Sequence, residues 1–126
     1  SLFGGNSNWR GPVWFSMNYL LILALRELSL HYKEDMKVEC PTGSGRFVDL
    51  KTAADDIAQR LIGIFTKDMN GKRRVHGEES RYQHDPHFKD LILFYEYFHG
   101  DNGRGVGASH QTGWTGLVAT LIEELF

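Results

Sequence analysis

The chain has 126 residues, of which 41% are hydrophobic, 24% charged and 13% aromatic. That length accommodates one domain with a real core and not two comfortable ones, and the composition excludes a disordered or low-complexity chain. A formal net charge of -2 provides no global attraction to nucleic acid, and a single cysteine, Cys40, excludes an intrachain disulfide framework or a thiolate metal cluster.

Residues 1–11, SLFGGNSNWRG, hold small and turn-forming residues before an aromatic-basic pair and read as a structured loop. Pro12 stands where a helix can open, because its fixed φ suits the first turn and its missing donor is not needed there. The run VWFSMNYLLILALRELSL that follows predicts a helix over 12–29, apolar on nearly every face. A helix lying on a surface would show one apolar stripe, so this one is expected inside a larger helical body. Ser16, Asn18 and Arg26 are then hydrogen-bonded core positions. No apolar run approaches the roughly 18 residues needed to span a bilayer, and nothing at the start reads as a signal peptide. With one cysteine, these features point to a cytoplasmic protein with no membrane partner. The chain starts at Ser1, which leaves room for an absent upstream region.

Pro41, Gly43, Ser44 and Gly45 mark residues 31–50 as a loop. A second helix is expected from about Thr52 to Lys67, capped by Asp49 or Thr52. Ala54, Ile57, Ala58, Leu61, Ile62 and Phe65 fall at helical spacing, with Lys51, Asp55, Gln59 and Arg60 toward water. This is an ordinary two-sided helix of the outer kind. The polar stretch 72–90 reads as a long loop with a short helix opening at Pro86. Leu91–Phe98, LILFYEYF, is either a strand or a helical piece, because eight residues do not settle the period. A loop with five glycines follows, and a final helix runs from Thr112 or Gly113 with Trp114, Leu117, Val118, Leu121, Ile122 and Leu125 as its stripe. The chain is therefore helical, with three secure helices and long loops of the kind that carry function.

Two groups of residues could carry chemistry. Asn8, Trp9, Arg10 and Trp14 either build a wall on which a pyranose stacks while Arg10 donates to hydroxyls, or fill the core with Arg10 paired locally. Glu96, flanked by aromatics in FYEYF, is either poised for acid-base work or one member of an alternating strand. On a strand it would share a face with Ile92, Phe94 and Phe98, so it does not easily escape apolar company, and such a carboxyl needs a partner or a raised pKa. His84, Asp85 and His87 are metal-capable at short spacing, but without a third ligand they read as a surface loop. His110, Gln111 and Thr112 precede the last helix, where they either reach a ligand or cap it. Gly103–Gly107 lacks the spacing and the lysine of a nucleotide loop, and the run Lys72-Arg73-Arg74 is too short and too well balanced by acids for nucleic acid.

Three segments, NWRGPVWFSMNYLLILAL, FYEYFHGDNGRG and SHQTGWTGLVA, together resemble the C-terminal part of the catalytic domain of glycoside hydrolase family 63, which includes processing α-glucosidases, bacterial α-glycosidases and mannosylglycerate hydrolases. The resemblance spans essentially the whole chain and implies an all-α fold, a partial segment of an (α/α)6 toroid with long active-site loops. Residues 1–126 would form the C-terminal segment of that domain, with the upstream part absent. It implies an inverting α-glycosidase in which Glu96 is the general base, with Trp9, Arg10, Trp14, His110 and Trp114 near the sugar. The general acid would be an Asp of the upstream half, for which no residue of this chain matches the motif. The implied partner is an oligosaccharide or small α-glycoside, and no cofactor or metal is called for. Phe98-His99-Gly100 departs from the more polar residues usual after the Glu-x-Tyr unit, which bears on substrate preference. A non-catalytic carbohydrate-binding or structural remnant is the alternative. The isolated chain is expected to self-associate or to require the missing part of the barrel, since a toroid needs roughly 300 residues or more.

Overall fold

In a computed structural model, which describes residues 11–110 and 112–126, the first helix begins not at Pro12 but at Phe15, as α1 (Phe15–Tyr32). Val13 is extended instead. Its amide donates to the Phe98 carbonyl at 2.7 Å, and its own carbonyl accepts the Phe98 amide at 2.9 Å. The Val13 amide, which a first helical turn would leave unmatched, is thus satisfied by the bridge. At its far end α1 closes on Lys33, at φ 49, whose amide donates to Ser29 at 2.8 Å.

The expected loop over 31–50 contains a hairpin, β1 (Lys37–Glu39) against β2 (Phe47–Asp49), antiparallel with Val38 opposite Val48. Gly43 and Gly45, at φ +82 and +75, make the reversal in a backbone region that side chains disfavour. The Glu39 carboxylate accepts the Gly45 amide at 2.8 Å.

β2 runs directly into α2 (Leu50–Phe65), two residues ahead of the expected start. Asp49 is the cap: its Oδ1 accepts the Thr52 amide at 2.7 Å, satisfying a donor the helix itself cannot. That bond holds the Asp49 carboxyl below the usual carboxylate range. A carboxyl that is the stronger acid when folded stabilises fully above its unfolded pKa and loses that contribution as pH falls through the folded value. Asp49→Ala is therefore expected to lower the melting temperature by several degrees at neutral pH. The two melting temperatures should converge in acid; a gap that persists there would refute the cap assignment.

α2 packs against α1, the hairpin, the turn at Arg74–His76 and the last helix of the chain, Val118–Leu125. Leu50, Ala54, Ala58, Leu61 and Phe65 are all buried along it. α1 buries Phe15 and Ile22, while Met17, Leu20 and Leu30 remain 59%, 54% and 70% exposed. Within the described residues the two-sided helix is thus the more buried of the two. Polar groups of α1 are satisfied as expected at two positions. Asn18 Nδ2 donates to the Trp14 carbonyl at 2.9 Å, and Arg26 pairs with Glu124 and, at 3.6 Å, with Asp55.

After α2 comes a 3-10 turn, Arg74–His76, and then a short helix, α3 (Ser80–His84), so the helical turn expected at Pro86 lies upstream of it. Glu79 accepts the Arg81 amide at the start of α3, whereas Asp85 accepts the His87 amide and makes a turn of the segment after Pro86. Gln83 clamps the region by donating to the carbonyls of Arg73 and Gly77 and accepting the Arg73 amide. Leu91–Phe98 is not helical: Phe94 makes an isolated bridge, Glu96 stands at a bend, and the segment ends in β3 (Tyr97–Phe98), antiparallel to β4 (Gly105–Val106). The final helix is in two pieces, α4 (Thr112–Thr115) and α5 (Val118–Leu125), divided at Gly116 and Leu117.

The core gathers around Phe65, whose ring lies 5.5 Å from Phe98 and 6.4 Å from Phe15, both edge to face. The architecture is mostly helical with two separate two-stranded sheets, and no toroid closes among the described residues. None of the described helices is long and apolar enough to cross a membrane.

Candidate active site

Glu96 lies at the bend immediately before β3, where it is half-buried. Its amide donates to the Ala108 carbonyl at 2.7 Å, and its Oε2 accepts the Ala108 amide at 3.3 Å. Backbone and side chain of Glu96 are thereby tied to the same residue, in the segment that follows β4. Gly107, at φ +77, makes the close approach possible: a Cβ there would lie 2.6 Å from Glu96 Oε2 and 3.0 Å from the Tyr97 ring. Gly105 plays the same part for Tyr95, since its Cβ would fall 2.1 Å from a ring carbon. Burial, with a smaller contribution from Tyr82, pushes the Tyr95 hydroxyl above the usual phenol range, so beside Glu96 it stays a neutral group.

Trp14 precedes α1 and stacks on Tyr97, with ring centroids 4.8 Å apart and planes 26° from parallel. The Val13–Phe98 bridge sets that contact, because it brings the residue before Trp14 alongside the residue after Tyr97. His110 is exposed, and its backbone bridges Phe94, two residues before Glu96. Trp114 is 56% exposed on α4. Its neighbour Thr115 is fully buried and donates from Oγ1 to the Tyr95 carbonyl at 2.6 Å, which pins α4 to the residue before Glu96. The segment 94–98 is therefore held by Val13, by Ala108 and His110, and by Thr115 of α4, and it carries the Trp14–Tyr97 stack at the residue next to Glu96. Trp9 and Arg10 lie outside the described residues.

Several contributors were not singled out from the sequence. Tyr97 stands in FYEYF as one aromatic among four, and only the bridge partner of Val13 makes it the platform under Trp14. Gly107 is one of five glycines in its loop, with no local mark to distinguish it. Thr115 looks like an exposed polar residue of a short helix until its bond to Tyr95 is seen. Of the histidine cluster, His84 closes α3 and is not in a loop, and the Asp85 carboxylate after it accepts the His87 amide at 2.8 Å. Among the described residues no three His, Cys, Asp or Glu side chains gather into a metal cluster.

Chemically, the arrangement offers one anchored, acceptor-only carboxylate beside stacked aromatic rings. A half-buried carboxylate of this kind can take a proton, and the flat faces beside it can meet an apolar sugar face.

No protein-family model matches the chain, and no solved structure does. Over 126 residues, 98% of its length, it is 50% identical to an uncharacterized protein of Saccharomyces cerevisiae. Over 121 residues, 95% of its length, it is 27% identical to mannosyl-oligosaccharide glucosidase of the same organism. The chain spans 12% and 11% of the length of these two relatives. Its similarity to a protein of named activity is thus a superfamily-level likeness to a glucosidase.

Proposed function

We propose that the chain is part of an inverting α-glycosidase of glycoside hydrolase family 63 type, with Glu96 as the general base. The observation that carries this reading is the Glu96 carboxylate anchored by the Ala108 amide, next in the chain to the Tyr97 that stacks on Trp14, in a chain 27% identical to a glucosidase. In the reaction, Glu96 takes a proton from a water molecule as that water attacks the anomeric carbon. A carboxylic acid on the other side of the bond protonates the departing oxygen. The two carboxyl groups of an inverting pair stand about 6.5–9.5 Å apart, which leaves room for the water. The acid belongs to a residue outside this chain. Trp14 on its Tyr97 support, His110 and Trp114 face the sugar from three elements, and Trp9 and Arg10 join them from the segment before Gly11. The substrate is an oligosaccharide or small α-glycoside.

The test is stereochemical. The native gene product, given an α-glycoside and followed by proton NMR, should release the β-anomer first. Release of the α-anomer first would refute the inverting mechanism and with it the role of Glu96. Sugar binding without turnover would favour a non-catalytic binding module.

In this reading residues 1–126 form the C-terminal segment of an (α/α)6 domain, and the exposed apolar face of α1 packs against further helices of a longer polypeptide. Expressed alone, the 126-residue chain should associate through Met17, Leu20 and Leu30 and bind a hydrophobic dye. A monomer in analytical ultracentrifugation that melts cooperatively and binds no dye would overturn this.

A further inference from the structure

Away from Glu96, the outer side of α2 forms the floor of a cleft of about 500 Å³. Its charged lining is Arg46, Arg60, Lys67 and Arg74 against Asp56 and Asp68, a positive excess in a chain whose net charge is -2. Both acids are already engaged. Asp56 accepts Arg46 Nη1 at 2.5 Å, and Asp68 Oδ1 accepts the amides of Asn70 and Lys72 at 2.8 and 2.9 Å. Lys67 pairs with Asp90 at 3.3 Å. The nearby C-terminal end of α2 is also answered, since Arg73 Nη1 donates to the Phe65 carbonyl at 2.5 Å. That leaves Arg60 and Arg74. Among the described residues neither guanidinium makes a hydrogen bond or an ion pair, although Arg60 acts on Asp56 through space.

The two arginines are placed by the fold. Arg60 stands on α2 between the buried Ala58 and Leu61. Arg74 opens the 3-10 turn, and its stem lies against the reversal between β3 and β4, where a Cβ on Gly103 would come 3.2 Å from Arg74 Cβ. The same two residues also line a second cleft, of about 350 Å³, walled by Val13, Ile57 and Leu61, with His99, Asn102 and the exposed carboxylate of Asp101 at its polar side. Two guanidinium groups that make no hydrogen bond or ion pair among the described residues thus stand where a cationic cleft meets a partly apolar one. Guanidinium groups match the geometry of phosphate and carboxylate oxygens, and charge-assisted bonds to them are the strong ones.

We propose that this junction is a binding site for a small oxyanion, the anionic group of a phosphorylated or carboxylated molecule seated between Arg60 and Arg74, with its uncharged body in the 350 Å³ cleft. The site is separate from Glu96 and its assignment does not rest on the glycosidase reading.

Isothermal titration of the native gene product with inorganic phosphate and, separately, with malonate tests it at constant ionic strength. At least one anion should bind saturably at one site, and the tighter of the two identifies a phosphoryl or a carboxylate ligand. Arg60→Gln and Arg74→Gln should each weaken that binding about tenfold or more, whereas Lys51→Gln, a charge lost elsewhere on α2, should leave it within about twofold. Should a Gln variant lose its fold, Arg60→Lys and Arg74→Lys, which keep the charge without the planar fork, should still weaken binding. Absence of saturable binding by either anion, or equal weakening by Lys51→Gln, would overturn the proposal.

Discussion

Glu96→Gln in the native gene product is expected to lower kcat for α-glycoside hydrolysis by about 10²–10⁴-fold with little change in KM. The amide has nearly the shape of the carboxylate, and its oxygen can still accept the Ala108 amide that now binds Oε2 at 3.3 Å. Tyr97 and Trp14 stay stacked, so the surface that would receive sugar is unchanged. What is lost is the capacity to accept a proton from water. A ground-state contact would show itself in KM, whereas a base acts in the transition state and shows itself in kcat. Wild-type turnover by the variant, measured by reducing-sugar release, would remove Glu96 from the mechanism.

Phe98→Ala should cost about 3–5 kcal/mol of stability. Phe98 is 0% exposed, its ring meets Phe65 edge to face at 5.5 Å, and its backbone holds Val13 through two hydrogen bonds. Truncation leaves a void between α2 and the β3–β4 hairpin, walled by elements that other contacts hold in place. The site would loosen too, because the same residue sets the register that lays Trp14 over Tyr97. Denaturant unfolding gives the number, and a loss below about 1 kcal/mol would mean that the surroundings collapse to fill the space.

The helices were legible in the sequence where period and punctuation agreed. α2 and its Asp49 cap follow from a clean apolar spacing behind a capping residue. The start of α1 was not legible, because Pro12 and Val13 suit a first turn locally, whereas Val13 is claimed by Phe98, far along the chain. The hairpin of β1 and β2 escaped for want of length: Lys-Val-Glu alternates but Phe-Val-Asp does not, and three residues carry too little pattern to outweigh the turn residues around them. The division between α4 and α5 lies at Gly116, where a Cβ would sit 2.2 Å from the Thr112 carbonyl oxygen. The apolar stripe runs on through that position and conceals it. In the candidate site, Glu96 announced itself by composition. The groups that orient it, Ala108 and Gly107, act through backbone geometry, and backbone geometry leaves little trace in residue type.

The pairing of Val13 with Phe98 has a consequence for how the site comes into being. It joins residues roughly 85 positions apart, so the segment carrying Trp14 waits for the segment carrying Tyr97 and Glu96 to be synthesised. Closing a flexible loop of that length is opposed by entropy, which grows by about 0.6 kcal/mol for each doubling. α2 shortens the path, since it packs on α1 and on the turn at Arg74–His76 and brings both ends of the interval toward one helix. The order of events is then set by topology. Local helices and their mutual packing come first, and the aromatic pair beside Glu96 is assembled last, on a scaffold that already stands.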